Sequence, residues 1–99
     1  MTRFLLLYTG PPPAVAPSHE GWPEWFENVG DALVDRGSPM RNGFVLRADG
    51  STSDATGPPL GYSIVQAADR GRALELLSDH PLWRSGMEYA IEVFELPDK

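Results

Sequence analysis

Apolar and polar residues follow two periods along this chain, in the order strand, helix, strand, then strand, helix, strand. Phe4-Leu5-Leu6-Leu7-Tyr8 is apolar throughout and ends at Gly10 and three prolines. A run of that length between breakers reads as a strand covered on both faces and central in its sheet. Pro11, Pro12, Pro13 and Pro17 hold the next stretch in extended or turn geometry. Trp22, Trp25, Phe26, Val29, Ala32 and Leu33 then fall at helical spacing, with Glu24, Glu27, Asn28, Asp31 and Asp35 on the other side. This predicts a first helix from Trp22 to Asp35, with Pro23 in its first turn, Gly37 as its C-terminal cap and Pro39 preventing continuation. Gly30 is its weak point, costing roughly 1 kcal/mol against alanine.

Gly43 to Arg47 has the composition of a second strand, and Asp49-Gly50 that of a turn. Ser51 to Pro59 reads as a polar, irregular connection, part of which an extended hairpin or a bulge could absorb. Tyr62 to Ala67 alternates as a third strand, antiparallel to the second because no helix intervenes. Asp69 is the expected N-cap of a second helix with Ala73, Leu74 and Leu77 inward and Leu76 on its shoulder. Pro81 stops it at or before His80. In the closing stretch Glu88 to Leu96, Tyr89, Ile91 and Val93 share the helix-facing side, and Phe94 and Leu96 the other. The expected architecture is α+β, a single domain over residues 1–99 with two helices on one side of a four-stranded antiparallel sheet. Its second face, around Phe94 and Leu96, calls for a partner, and a homodimer supplies one.

Charge and composition narrow the partners. Fourteen acidic residues against eight basic ones give a net charge of -6, the wrong sign for phosphate-backbone or anionic-lipid binding. No nucleic acid and no membrane are therefore expected. Cysteine is absent, so disulfides, thiolate catalysis and sulfur-ligated metals are excluded. The apolar run before Gly10 is too short for a leader or a membrane span, and a cytoplasmic location follows by default.

Candidate chemistry is sparse. His19 is the best acid–base group because imidazole titrates near neutrality, with Asp31 or Asp35 as a partner if the loop folds over the helix. Its bland alternative is a solvent-facing loop histidine. His80, in the last turn of a helix beside Pro81, is better explained as a side chain that caps free carbonyls. The two histidines form no metal motif. Trp25 and Phe26 belong to the core, and Trp22 to the lip of a ligand pocket. Tyr8 and Tyr62 add hydroxyls at strand ends. Arg41 and Arg47 suit an anionic ligand or ordinary surface pairs with the abundant acids. The glycines match no phosphate loop, Ser51 to Asp54 no catalytic triad, and no cofactor is implied.

Several ordered pieces carry a family resemblance. They are Trp25-Phe26 followed by Ala32-Leu33-Val34-Asp35-Arg36-Gly37, then Gly57-Pro58-Pro59-Leu60-Gly61-Tyr62-Ser63-Ile64-Val65, and Ala73-Leu74-Glu75-Leu76-Leu77 ahead of His80-Pro81. With the first and last strands they span almost the whole chain, which resembles the YCII-related domain family. The resemblance implies a ferredoxin-like βαββαβ protomer that dimerises into an α+β barrel. In some relatives a His near the start of the first helix and an Asp near its end are a proposed active pair. Here Trp22, Trp25 and Phe26 hold the helix start, His19 lies upstream, and Asp35 matches the acid. The Asp-Gly-Pro-Phe motif of one branch is replaced by Ala55-Thr56-Gly57-Pro58-Pro59. The functional expectation is a small organic molecule bound in a cleft near the first helix and dimer interface, with Tyr8, Trp22, Arg41 and Tyr62 as contacts. The rivals are a cofactor-free acid–base enzyme using the same cleft, with His19 and Asp35 as the catalytic pair, and a purely structural dimeric accessory protein.

Overall fold

The computed structural model describes residues 1–11, 21–55, 60–84 and 86–97. Its elements run β1 (Thr2–Thr9), α1 (Trp22–Val29), a 3-10 turn (Gly30–Ala32), β2 (Leu33–Pro39), β3 (Phe44–Leu46), β4 (Thr52–Asp54), β5 (Gly61–Ala67), α2 (Arg70–Leu77), a second 3-10 turn (Pro81–Arg84) and β6 (Ala90–Leu96). Four strands form one sheet in the order β2-β5-β1-β6, antiparallel at every junction. The long apolar β1 is central, as its unbroken hydrophobic run predicts. Each helix links two strands with a third between them, which is the ferredoxin-like α+β arrangement.

The first helix is shorter than its apolar spacing predicts. It ends at Val29 because Gly30 takes φ 57 and ψ −126, a conformation that L-residues avoid. Residues Leu33–Pro39, expected as helix end and cap, are instead β2. Leu33 fits either reading, since it pairs with Val65 and packs against the core from a strand. The second strand of the sheet is therefore not Gly43 to Arg47. Those residues form, with part of the expected irregular connection, a separate β3–β4 ribbon outside the main sheet. Its turn uses the Asp49-Gly50 pair as expected: Gly50 takes φ 86, and Ser51 N–H donates to Asp49 Oδ1 at 2.8 Å.

β2 is bulged between Asp35 and Ser38. Gly37 makes this possible. Its φ is 78, and a Cβ there would collide with the Tyr62 carbonyl. The bulge is held locally by Gly37 N–H donating to Asp35 Oδ1 at 2.8 Å.

α2 begins as expected, with Asp69 Oδ1 accepting from Arg72 N–H at 2.8 Å. Its far end is capped in an unexpected way. The indoles of Trp25 and Trp83 donate to the carbonyls of Leu76 and Leu77, at 3.0 and 2.8 Å, and Ser78 Oγ takes the Glu75 carbonyl at 2.8 Å. Carbonyls that a helix end leaves unpaired are thus satisfied from α1 and the second 3-10 turn. Leu74, expected inward, is exposed. The core between helices and sheet gathers Phe4, Leu6, Tyr8, Trp25, Val29, Val65, Ala67, Ala73, Leu77 and Leu82.

Candidate functional site

Strand alternation divides the candidate residues between two faces. On β1 the buried side carries Phe4, Leu6 and Tyr8, while Leu5 and Leu7 point away from the helices. Register extends this division across the sheet. Leu5 pairs with Ile64 and Phe94, Leu7 with Tyr62 and Glu92, and Arg3 with Leu96. Asp35 pairs with Ile64 and Ser38 with Tyr62. The open face is therefore an apolar centre of Leu5, Leu7, Ile64 and Phe94, flanked by Asp35, Tyr62 and Glu92. Phe94 is 48% exposed there, and the expected outward direction of Phe94 and Leu96 holds.

The helix-covered face holds the molecule's buried polar cluster, centred on His80, which is 1% exposed. Leu82 N–H donates to His80 Nδ1 at 3.0 Å, so Nδ1 bears the lone pair and the proton sits on Nε2. Nε2 lies 3.2 Å from the Tyr8 hydroxyl and donates to it. Tyr8 in turn donates to Ser63 Oγ at 2.7 Å, and Ser63 to the Arg36 carbonyl at 2.7 Å. The chain runs from the end of α2 across β1 and β5 to the bulge of β2. Every donor in it is used, and it ends on a backbone acceptor.

Aromatic rings enclose the imidazole. Trp25 is 4.3 Å from it between centroids, Trp22 4.8 Å and Tyr8 5.0 Å. Burial pushes the His80 pKa down to about 4. The same burial pushes Tyr8 up to about 12, against a smaller opposite pull from Ser63. Protonation at Nδ1 would also set one donor against another at Leu82. His80 is thus held neutral, hydrogen-bonded and away from solvent, and its role is to tie α2 to the sheet. This corrects the expectation of a helix-capping side chain: the tryptophans cap, and His80 is buried.

The candidate residues do not gather at one place. Tyr8 and Trp22 meet edge to face at 5.1 Å beside His80, and Tyr8, expected as a ligand contact, is buried. Asp35 and Tyr62 belong to the opposite face. Asp35 is exposed on a strand and not at a helix end. Arg41 is exposed between β2 and the ribbon, and Arg47 Nη2 bonds Ser53 Oγ within the ribbon at 2.9 Å. His19 lies outside the described residues, as do Thr56 to Pro59. Among the described residues no three metal-ligating side chains gather, and no helix is long and apolar enough to cross a membrane.

Residues 6–97 match the YCII-related domain. The chain belongs to the YCII-related domain family. No curated protein and no solved structure matches it. The YCII-related match spans β1 to β6, so it includes both faces of the sheet. What it does not supply is a ligand. Sequence reasoning missed His80 as a buried centre, because its partners come from positions 8, 22, 25 and 82, and only the last is near it in sequence.

Proposed function

We propose that this YCII-related protein is a homodimer that binds a small organic molecule in a cleft between the open sheet face and the second copy. The observation that carries this reading is the composition of that face: an apolar centre with a phenol and two carboxylates at its margin. Ligand sites commonly have such a make-up, apolar walls with a few polar groups that fix orientation. Monomeric proteins rarely expose a contiguous apolar patch beyond roughly a few hundred Å², which favours covering by another subunit. Tyr62 and Asp35 are the proposed polar contacts, with Phe94 and Leu96 in the dimer interface. Arg41 borders the cleft in this reading, and Tyr8 and Trp22, on the helix-covered face, support it from behind.

Acid–base catalysis in the same cleft is the second reading, and it rests on His19 alone. The imidazole of His80 is enclosed on the other face from Asp35, so a His–Asp pair at the cleft would have to use His19. Native mass spectrometry of the purified protein tests the reading. The expected result is a two-chain species carrying a small-molecule adduct, with the adduct lost in Tyr62→Ala. An adduct that persists equally in Tyr62→Ala and Phe94→Asp would contradict it. Chemical conversion of the adduct by wild type but not by His19→Ala would favour the enzyme.

A further inference from the structure

The helix side of the sheet is not covered evenly. α2 packs chiefly over β5 and α1 over β2, so neither helix is centred over the edge strand β6. Register sets Ile91, Val93 and Glu95 of β6 beside Tyr8, Leu6 and Phe4, which puts all three on the helix side. A groove of about 400 Å³ opens there between β6 and α2. Its floor is Phe4, Ala73 and Leu77, all buried, and its lips are Val93 and Leu74, 39% and 57% exposed. Both lips belong to inward-facing apolar patterns of the sequence, Val93 by the alternation of β6 and Leu74 by the stripe of α2. Their own chain nevertheless leaves them open to water.

The groove also has a direction. Ala67 pairs with Thr2 at the end of the sheet where Leu96 meets Arg3, and α2 then starts at Arg70. Beyond the other end of α2, His80 meets Tyr8, which lies opposite Ile91. Arg70 and Glu95 therefore share one end of the groove, and Leu77 and Ile91 the other. The charged end holds one guanidinium and one carboxylate. Among the described residues these two make no ion pair with each other, the ion pair of α2 being Arg72 with Glu75 at 2.8 Å.

We propose that this groove binds a small molecule with a zwitterionic head and an aliphatic tail, the chemistry of an apolar α-amino acid. Size selects a small molecule over a protein. From Arg70 to Leu77 the helix wall is roughly 10 Å long, and the volume is that of a ligand pocket. A stable protein interface takes roughly 800 Å² from each partner. Charge selects the head. A carboxylate alone would leave Glu95 facing a like charge, and an amine alone would do the same to Arg70, whereas a head with both groups answers each. The walls select the tail: apart from Phe4 the apolar lining is aliphatic, and a hydrocarbon chain laid on it removes Leu74 and Val93 from water. The site lies on the other side of the sheet from the proposed cleft and is built within one chain.

Titration of ¹⁵N-labelled protein with α-aminooctanoic acid, followed by amide chemical shifts, tests the groove. The expected result is saturable shifts over residues 70–77 and 91–95. Octanoic acid, which lacks the amine, and heptylamine, which lacks the carboxylate, should bind roughly tenfold more weakly. Arg70→Gln and Glu95→Gln, both at exposed positions, should weaken α-aminooctanoic acid by a similar factor with an unchanged circular dichroism spectrum. Arg70→Gln should not weaken heptylamine, nor Glu95→Gln octanoic acid. A monomeric protein that gives these shifts would contradict the dimer and support the groove. Shifts confined to Leu5, Ile64 and Phe94 would overturn the groove and leave the cleft standing. No saturable shifts, a half-head compound that binds as tightly as the amino acid, or binding indifferent to both variants would each overturn it.

Discussion

The two faces of the sheet solve opposite problems with the same strands. On the helix side every buried side-chain nitrogen and oxygen among the described residues has a partner: His80, Tyr8, Ser63 and the Arg36 carbonyl form one chain of hydrogen bonds, and two indoles finish α2. On the other side Leu5, Leu7, Ile64 and Phe94 form an apolar surface over which no helix among the described residues is laid. The lesson is that, among the described residues, burial is complete within one chain on one face, the groove beside β6 apart, and incomplete on the other. Changes on the helix face should therefore cost folding stability, and changes on the open face should cost assembly.

The largest expected effect is at Trp25. Trp25→Ala removes a buried ring and an indole that caps Leu76, and should lower folding stability by about 3–5 kcal/mol in denaturant titration. A loss as small as that of a surface substitution would mean that the helix face is not the closed core described.

Acid should act next, through His80. The unfolded chain takes up this proton near pH 6.5, the folded chain only near about 4. Between those values the unfolded state binds more protons, so stability falls as pH falls, by on the order of 3 kcal/mol across the window. His80→Gln should remove most of that slope, which thermal melts from pH 7 to pH 4 would detect. A variant as pH-sensitive as wild type would place the titrating group elsewhere.

Tyr8→Phe is a smaller change to the same chain. It leaves the His80 Nε2 proton without its acceptor and Ser63 without a donor, and should cost about 1–3 kcal/mol. Smallest of all should be the effect of Phe94→Asp on the isolated fold, within about 0.5 kcal/mol, as for an exposed position. Its effect should appear in self-association. A Phe94→Asp chain that unfolds would break the contrast between faces, because it would make the open face part of the folding core.

Much of this contrast was legible in the sequence, and the parts that were not have physical reasons. The unbroken run Phe4 to Tyr8 announced a central strand, Asp69 announced a helix start, and the alternation to Leu96 separated Ile91 and Val93 from Phe94. All are local signals. The end of α1 was misread because Ala32 and Leu33 fit a helical stripe while Leu33 fits a core-facing strand equally well, and the positive φ of Gly30 decides between them. The ribbon was half visible, in its Asp49-Gly50 turn, but its strands of three residues each are too short to show a period. His80 was illegible as a buried group, since its enclosure is made by residues brought from β1, α1 and the second 3-10 turn. On the open face, the outward direction of Phe94 and Leu96 follows from alternation alone, whereas the pairing of Asp35 beside Ile64 depends on irregularities on both sides of it, between Leu33 and Asp35 and between Asp35 and Ser38, which shift register in a way that spacing does not reveal.

The central claim is that a second copy covers the open face, and its most direct test is sedimentation equilibrium from nanomolar to high micromolar concentration. The mass should reach twice the 10.9 kDa of one chain at micromolar concentration and return to 10.9 kDa on dilution, with Phe94→Asp monomeric over the whole range. A wild-type protein that remains at 10.9 kDa throughout, or a Phe94→Asp variant that dimerises as wild type does, would contradict it.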